Sequence, residues 1–319
     1  MRHGLSMRKP KHVAMILGYH NPRLSILAAN SVLAAGDADV ILVEPDARKE
    51  DMKEIRKAFT SRWGWNPRVI LLPLKENRFT AWGMNQGIKE ALRRGYEYIT
   101  IMCDDVTLDA GYFKVIESDG FEIIQPKIYF GFTDTIYAAG TGMKAGLPIL
   151  CAHGEPDHSP HVDCPRQLEF ASAVTMTMKR KVFKNIGLID EAYEMYYDDV
   201  DLTYRAHRAG YHILYNPKAV SRHHTLQAVG QSHGKTMART IKYSERNRLL
   251  FAYKNGLFNW RFLLMDTLHA IKFSLFNPRM ARPVIEGKLW FWNDIWFHEV
   301  LEEFNLTDEE RYKRARWEQ

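Results

Sequence analysis

The sequence predicts an α/β fold, in which the strands of a central sheet are joined by crossover helices. Short apolar runs alternate with helical patterns over the first two-thirds of the chain. The runs are continuously apolar, as expected for strands buried on both faces of a sheet. With 319 residues, 46% hydrophobic and 26% charged, the chain lies in the globular range and is long enough for one large or two modest domains.

Four buried strands are predicted in the first 105 residues, with a helix after each of the first three. The strands are residues 12–17, 40–43, 69–72 and 98–102, and the helices are about 24–35, 50–60 and 80–94. Pro73 closes the third strand, and Gly95 stops the third helix in the usual C-terminal role of glycine.

The next 130 residues predict a less regular region. Strands are expected at residues 122–128, 136–139, 168–178 and 211–215, a helix at about 199–209, and a long loop at 140–166. Gly210 ends the helix and Pro217 closes the last strand. Since a loop of this length inside a domain is often functional, we interpret it as a lid. The chain after about residue 235 has a helical pattern throughout.

Positive charge is concentrated near the C-terminus. The net charge is +6, yet residues 225–288 hold eleven basic and three acidic residues, and residues 289–319 hold four basic and eight acidic ones. Such a basic segment, rich in Phe, Leu and Trp, is typical of contact with anionic lipid, nucleic acid or a phosphorylated substrate. A solvated helical face is an equally weighted interpretation.

An apolar row runs through this C-terminal region. Leu264, Leu268, Ile271 and Leu275 recur at helical spacing, and we expect core packing rather than a membrane face. Three tryptophans follow this row, Trp290, Trp292 and Trp296. They are predicted either to anchor at a bilayer interface or to pack internally.

The cysteines and the hydropathy pattern predict a cellular location. Cys103, Cys151 and Cys164 are too few to staple the fold, and their odd number favours a reducing compartment. The basic N-terminus lacks the apolar core of a secretory signal, and no run of ~18 apolar residues predicts a membrane span. We therefore expect a cytoplasmic protein, with peripheral membrane contact left open.

Two adjacent carboxylates follow the fourth strand. Ligands of open α/β sheets bind outside the carboxyl ends of the strands, which is where Asp104 and Asp105 lie. A pair of carboxylates there can hold a hard divalent cation that bridges the oxygens of a diphosphate. An ordinary acidic turn is the alternative.

A second acidic group begins the helix predicted near residue 199. Asp198, Asp199 and Asp201 are favoured there by capping and by the helix dipole. One of them can also be the fixed carboxylate that deprotonates a sugar hydroxyl. His223, after the last strand, is a candidate to complete a cation's coordination, although a core histidine is the commoner case.

These motifs together resemble the inverting, nucleotide-sugar-dependent glycosyltransferases of family 2, and most closely the rhamnosyltransferase-like members. The matching segments are, in chain order, residues 17–22 (LGYHNP), 43–44 (VE), 77–79 (NRF), 85–88 (NQGI), 103–105 (CDD), 183–191 (FKNIGLIDE), 195–202 (MYYDDVDL), Arg205, 209–211 (AGY), 217–219 (PKA), His223, 246–247 (RN) and 254–255 (KN). The resemblance implies a GT-A fold with a mixed central sheet and a helical C-terminal extension.

The resemblance also implies domains and partners. It predicts a tail at 1–11, a catalytic domain at 12–233 and a helical region at 234–319. Within the catalytic domain, the donor-binding half is 12–105 and the acceptor half 106–233. The expected partners are a nucleotide diphosphate sugar, Mn²⁺ or Mg²⁺, and a glycan, lipid-linked or protein acceptor; nucleic acid is not expected.

The resemblance assigns roles residue by residue. Asp105 and His223 match metal ligands, and Asp199 matches the catalytic base. The donor-binding positions are Gly18, Tyr19, Glu44, Asn77, Asn85 and Asp104, and the acceptor or supporting positions are Asp198, Asp201 and Ser172. The chain departs from the family at four positions, with Cys103 for an acid or Asn, Asp198 for Glu, and Phe79 and Ala173 for Gly.

Other functions remain as alternatives. A GT-A-shaped protein without catalysis, binding nucleic acid or anionic membrane through the basic C-terminal region, is one, and a nucleotidyltransferase is another. Residues 230–236 (GQSHGKT) resemble a phosphate-binding loop but have one residue too few between the glycines. A cysteine and histidine group within 151–164 is a weak zinc candidate, since its spacing fits no standard site.

Overall fold

The computed structural model describes residues 10–144, 147–158, 160–224 and 233–302. These residues form two compact units, one that ends with the described residue 224 and one that begins at residue 233. The first unit contains the sheet, and the second is helical.

The first unit alternates strands and helices, as the sequence predicts. Its described strands are β1 (His12–Leu17), β2 (Ala38–Glu44), β3 (Thr60–Ser61), β4 (Gly64–Trp65), β5 (Val69–Pro73), β6 (Tyr98–Cys103), β7 (Val106–Leu108), β8 (Ile123–Phe130), β9 (Ile136–Ala138), β10 (Thr141–Lys144), β11 (Leu147–Leu150), β12 (Arg166–Leu168), β13 (Thr175–Lys179) and β14 (Ile213–His223). Its described helices are α1 (Pro22–Ala35), α2 (Lys49–Phe59), α3 (Phe79–Arg94), α4 (Tyr112–Asp119), α5 (Arg180–Ile186) and α6 (Asp198–Arg208).

Ten of the described strands form one mixed sheet. The order along it is β12-β14-β8-β13-β6-β1-β2-β5, with β7 beside β14 and β9 beside β8. The four strands β5, β2, β1 and β6 run parallel, whereas β13 is antiparallel to both β6 and β8. The carboxyl ends of β1, β2 and β6 therefore lie at one edge of the sheet. The motifs at residues 17–22, 43–44 and 103–105 lie at these strand ends.

The core lies on both faces of the sheet. Along β1, Val13 and Met15 pack under α3, and Ala14 and Ile16 pack on the other face, against α1. Successive side chains of a strand point to opposite faces, so a strand covered on both faces has no polar alternation. This explains the continuous apolar run at residues 12–17.

The strand predicted at 168–178 is wrong as a single element. It is two strands, β12 and β13, separated by residues 169–174. In this break the backbone N–H groups of Ala171 and Ala173 donate to side chains of α6, Thr203 Oγ1 at 3.3 Å and Asp199 Oδ2 at 2.9 Å. Because these groups serve the helix, they cannot continue a strand ladder.

Two further sequence expectations need correction. The loop predicted at 140–166 contains the β10–β11 hairpin and a single turn of 3₁₀ helix at Pro160–Val162. The strand predicted to end at Pro217 continues to His223, because the register shifts between Asn216 and Val220. A proline is tolerated at such an irregularity of the ladder.

The second unit contains three described helices, α7 (His233–Lys254), α8 (Trp260–Phe276) and α9 (Ala281–Glu302). Among the described residues, no helix is both long and apolar enough to cross a bilayer. Charged side chains lie inside this unit: Arg248 contacts Asp266 at 2.5 Å and Glu245 at 2.6 Å, and both carboxylates also contact Lys288.

Candidate active site

Asp105 and His223 meet where β6 and β14 end. The imidazole Nε2 of His223 lies 3.2 Å from Oδ2 of Asp105, and the backbone N–H of His224 donates to the Asp105 carbonyl at 2.7 Å. Antiparallel pairing of β14 with β7 sets this contact, since His223 lies opposite Val106. Nδ1 of His223 is buried and has no hydrogen-bond partner among the described residues.

Asp104 points toward the ends of β1 and β2. Its Oδ2 accepts the backbone N–H of Tyr19 at 3.4 Å. Burial raises the pKa of Asp104 to about 8, and the charges of Asp105 and Glu44 act in the same direction. The carboxylates of Asp104 and Glu44 are thus close enough to interact.

Glu44 is buried, and its carboxyl group lies close to the backbone of Gly18. Its Oε1 accepts the hydroxyl of Ser25 at 2.6 Å, and burial raises its pKa to about 7. A Cβ on Gly18 would lie 2.4 Å from that oxygen, so only glycine leaves room for the carboxyl. Tyr19 is 54% exposed beside this pocket.

The two asparagines predicted to bind the donor, Asn77 and Asn85, hydrogen-bond to other residues of the chain. Asn85 is buried and joins α3 to residues 189–191, with Nδ2 donating to the Ile189 carbonyl at 2.9 Å and to Glu191 at 2.8 Å. Asn77 Oδ1 accepts the N–H of Phe79 at 2.8 Å. Phe79 has a φ of 66°, which is consistent with a glycine at this position in the resembled family.

Asp199 is fixed from two sides at the start of α6. Its Oδ2 accepts the N–H of Ala173 at 2.9 Å and its Oδ1 accepts the N–H of Val200 at 2.9 Å. Ser172 also hydrogen-bonds its carboxylate. Burial raises the pKa of Asp199, and these hydrogen bonds partly oppose that rise by favouring the charged form.

The neighbouring aspartates differ from Asp199 in their surroundings. Burial, and then the charge of Asp199, raises the pKa of Asp198 to about 8, and Oδ2 of Asp198 has no partner among the described residues. Asp201 is an internal structural group, because it accepts from Arg205 at 2.7 Å and from Tyr193 at 3.2 Å.

The two acidic groups lie on either side of residues 173–174. Asp199 holds the N–H of Ala173, while the carbonyl of Val174 accepts the N–H of Cys103 at 3.4 Å. Burial raises the pKa of the Cys103 thiol well above its ordinary value, and charges from both acidic groups add to that effect. Asp105 and Asp199 therefore occupy one site at the carboxyl end of β6.

Tyr137 is a site residue that the sequence analysis did not identify. Its ring meets that of His223 edge to face at a centroid distance of 4.4 Å. Burial raises its pKa, and both Asp105 and Asp199 add to the rise, so the phenol lies near both carboxylates. The sequence gives no signal for it, since Tyr137 belongs to a short strand with no motif.

Part of the predicted lid packs beside the site. His153 Nδ1 contacts the carbonyl of Tyr137 at 2.7 Å, and the two rings are 5.2 Å apart. Lys127, which is buried, contacts Asp157 at 2.9 Å and Asp163 at 2.5 Å and so anchors the segment.

The candidate metal ligands of the described part of the chain are few. There, no three His, Cys, Asp or Glu residues converge as ion ligands, which gives the zinc hypothesis for 151–164 no support. Asp105 with His223 offers one oxygen and one nitrogen, a donor set that Mn²⁺ accepts when other oxygens complete its coordination. Of the seven residues that resemble a phosphate-binding loop, 230–236, the first three lie outside the described residues and the last four begin helix α7.

The segment before α6 is strained. Glu194, Tyr196 and Tyr197 have φ values of 59°, 64° and 64°, in the left-handed region that non-glycine residues rarely adopt. Each such residue costs about 1–3 kcal/mol, and strain of this kind clusters at functional sites. These three residues lie in the segment that directly precedes Asp198 and Asp199 at the start of α6.

Solved structures resemble this architecture. One is a crystal structure of GalNAc-T7 with UDP, GalNAc and Mn²⁺, with a TM-score of 0.53 and 15% identity over 68% of this chain. Another is the mannosyltransferase PcManGT from Pyrobaculum calidifontis in complex with GDP-Man and Mn²⁺, with a TM-score of 0.54 and 10% identity over 90% of this chain. The chain spans 44% of the length of the first and 88% of the second.

No protein-family model and no curated protein matches the sequence. The structural likenesses establish the fold: the chain has the GT-A fold, a mixed α/β sheet flanked by helices. This confirms the fold class that the sequence predicts. At 15% and 10% identity the activity does not follow from the likeness, so it must be argued from the site.

Proposed function

We propose that this protein is a metal-dependent glycosyltransferase that moves one sugar from a nucleotide diphosphate sugar to a hydroxyl acceptor with inversion. The observation that carries the proposal is the common location of Asp199 and of the Asp105–His223 pair on either side of residues 173–174. Metal-assisted sugar transfer with inversion uses such a pairing, one group to bind a cation and another to take the acceptor proton.

Asp105 and His223 are the residues that would hold the cation. Their 3.2 Å contact places a carboxylate oxygen beside an imidazole nitrogen, and both are atoms that can bind a divalent ion. When bound, Mn²⁺ or Mg²⁺ would neutralise charge on the departing diphosphate. Both structural neighbours were solved with Mn²⁺, which favours that ion.

The donor would lie along the ends of β1, β2 and β6. Tyr19 offers an exposed ring for a nucleobase, and the carboxyls of Glu44 and Asp104 offer hydrogen bonds to a ribose or base. The structural neighbours contain UDP or GDP-Man, which supports a nucleotide-bound donor. A hexosyl or rhamnosyl group, and a glycan, lipid-linked or protein acceptor, follow from the family resemblance alone.

Asp199 is the proposed general base. Two backbone N–H groups and the Ser172 side chain fix its carboxylate, and burial makes it more basic than an exposed aspartate. As the acceptor oxygen bonds to the anomeric carbon, the bond from that carbon to the diphosphate breaks and the hydroxyl proton passes to Asp199. The nucleoside diphosphate leaves from the opposite face, which inverts the anomeric centre.

The proposal is tested by measuring nucleoside diphosphate release from a panel of nucleotide sugars with Mn²⁺, with and without saccharide acceptors. We expect turnover with at least one donor, and Asp199→Asn should lower kcat by ~10²–10⁴-fold because the amide cannot take the proton. Donor affinity, measured by calorimetry, should stay unchanged.

Glu169→Gln is the matched control. It neutralises an exposed carboxylate in the segment between β12 and β13, the segment whose Ala173 binds Asp199. It should retain the wild-type rate. Release of pyrophosphate instead of nucleoside diphosphate would identify a nucleotidyltransferase, and full activity of Asp199→Asn would refute the assigned base.

A further inference from the structure

Helix α8 has its polarity reversed relative to an ordinary surface helix. Its buried side carries Asp266, which is 7% exposed and paired with Arg248 and Lys288. Its exposed side carries the apolar row that the sequence analysis assigned to the core. That expectation is wrong: Leu264, Leu268, Ile271 and Leu275 are 50–75% exposed.

The exposed residues of α8 form one apolar face, which we call the α8 face. Its members are Trp260, Arg261, Leu264, Met265, Thr267, Leu268, Ile271, Lys272, Leu275 and Phe276. Seven of these ten are large hydrophobic residues, two are cations and none is an acid. The spacing of 4, 4, 3 and 4 from Trp260 to Leu275 puts five of them within an arc of about 80°.

A face this apolar is unusual on a soluble surface, where exposed hydrophobic residues are normally scattered. Its length is also informative. Seventeen residues at about 1.5 Å per residue give about 25 Å, less than the ~30 Å of a bilayer's hydrocarbon core. The helix therefore suits a position in the plane of a membrane surface, with its apolar side in the lipid.

The charges of the α8 face favour a negatively charged membrane surface as its partner. Arg261 and Lys272 flank the apolar row, and Arg261 stacks over the ring of Trp260 at 5.4 Å. Tryptophan is enriched at the bilayer interface, and cations there attract acidic headgroups. A second copy of the chain docking by the same face would bring like charges together, which is unfavourable.

We propose that the α8 face binds the surface of an anionic phospholipid bilayer, with its aliphatic side chains in the lipid and its two cations at the headgroups. Helix α9 of the same unit carries a further exposed apolar row at helical spacing, Ile285, Leu289 and Trp292. This interaction is independent of catalysis, so it stands or falls apart from the proposed sugar transfer.

Flotation of the full chain with vesicles tests the proposal. The vesicles are phosphatidylcholine alone or phosphatidylcholine mixed with phosphatidylglycerol. Wild-type protein should bind the mixed vesicles and bind the neutral ones less. Leu268→Gln with Ile271→Gln should lower the partition coefficient roughly tenfold or more, because two aliphatic side chains leave the lipid.

The cations give a second, separable readout. Arg261→Gln and Lys272→Gln should each lower binding to the mixed vesicles roughly fivefold, with little effect on neutral ones. Added salt should weaken the wild-type interaction. Trp63→Gln is the matched control, since this tryptophan is 83% exposed in the first unit and its loss should leave binding unchanged.

Two results would overturn the proposal. One is equal vesicle binding by wild type and the double glutamine variant, with both melting at the same temperature by circular dichroism. The other is absence of vesicle binding by the wild type. If the wild type were then a dimer in light scattering, and the double variant a monomer, the α8 face would be an interface between copies.

Discussion

At the scale of single residues, the buried acids make stability depend on pH. Asp198 has an ordinary pKa of 3.8, and in the folded protein burial and the adjacent Asp199 raise it to about 8. Glu44 and Asp104, raised to about 7 and about 8, act with the same sign. Between the unfolded and folded values, folding takes up protons, so the contribution of these three groups to stability is full below pH ~4 and is lost as pH rises through their folded pKa values.

We predict that Asp198→Asn flattens this dependence. The free energy of unfolding of wild-type protein, measured by urea denaturation in EDTA, should fall from about pH 5 to about pH 8, and the variant should lose less. One group contributes at most about 1.4 kcal/mol per pH unit. Asp134→Asn, which removes an exposed carboxylate, should keep the wild-type slope; an unchanged slope in Asp198→Asn would contradict the assignment.

Sequence patterns predict the charged residues of the candidate site better than the neutral ones. Asp105, Asp199 and His223 follow strand ends or begin a helix, so pattern alone brings them near one sheet edge. Tyr137 has no such signal, because only the pairing of β9 with β8 carries its ring to His223. Asn85 is the opposite case. Its motif predicts contact with the donor, whereas its side-chain amide donates hydrogen bonds to residues 189 and 191.

At the scale of elements, the contact of α3 with the sheet is tightest at Gly87. A Cβ on Gly87 would lie 2.0 Å from Cγ of Met15 and 2.8 Å from Cγ2 of Val43. Both neighbours are fully buried in the core of β1 and β2. A methyl group there can be accommodated only by moving the helix away from the strands.

We predict that Gly87→Ala destabilises the protein, although alanine favours helix more than glycine does. Overpacking of a core costs about 1–3 kcal/mol, which exceeds the helix-propensity gain of about 1 kcal/mol in most of that range. Urea denaturation measures the difference. Lys89→Ala, at an exposed position of the same helix, should change stability little; a Gly87→Ala variant as stable as wild type would show that the sheet accommodates the methyl group.

The elements that the sequence predicts poorly are those governed by tertiary contacts. Residues 169–174 have a strand-like pattern, yet their N–H groups bind Thr203 and Asp199 of α6. The apolar row of α8 has a core-like period, yet Asp266 takes the buried side through its pairing with Arg248. Periodicity identifies a helical face but does not say which face is buried.

At the scale of the whole molecule, the GT-A fold follows from local patterns because its parallel strands are continuously apolar and its helices are well punctuated. Helix α3 ends where Gly95 takes a left-handed conformation, as predicted. The antiparallel half is harder to predict. Its strands β7 and β12 have three residues each, too short for periodicity to register, although β9, which is equally short, is predicted at 136–139.

Ligand binding to the first unit should appear in the thermal stability of that unit. A ligand that binds only the folded state stabilises by mass action, by about 2.7 kcal/mol at a concentration of about 100 Kd. For a unit of this size, that corresponds to roughly 5–10 °C in Tm. The proposed site requires that this stabilisation by a nucleoside diphosphate depend on a divalent cation, since Asp105 would reach the phosphates through it.

We therefore predict that Mn²⁺ and a nucleoside diphosphate together raise Tm, measured by scanning calorimetry, by more than the sum of their separate effects. Asp105→Ala should abolish the excess, because the proposed cation-binding carboxylate is lost while the proposed donor-binding residue Glu44 remains. Asp134→Ala, an exposed aspartate in the turn between β8 and β9, should keep it. Equal stabilisation of Asp105→Ala and wild type would place the cation elsewhere and remove Asp105 from the mechanism.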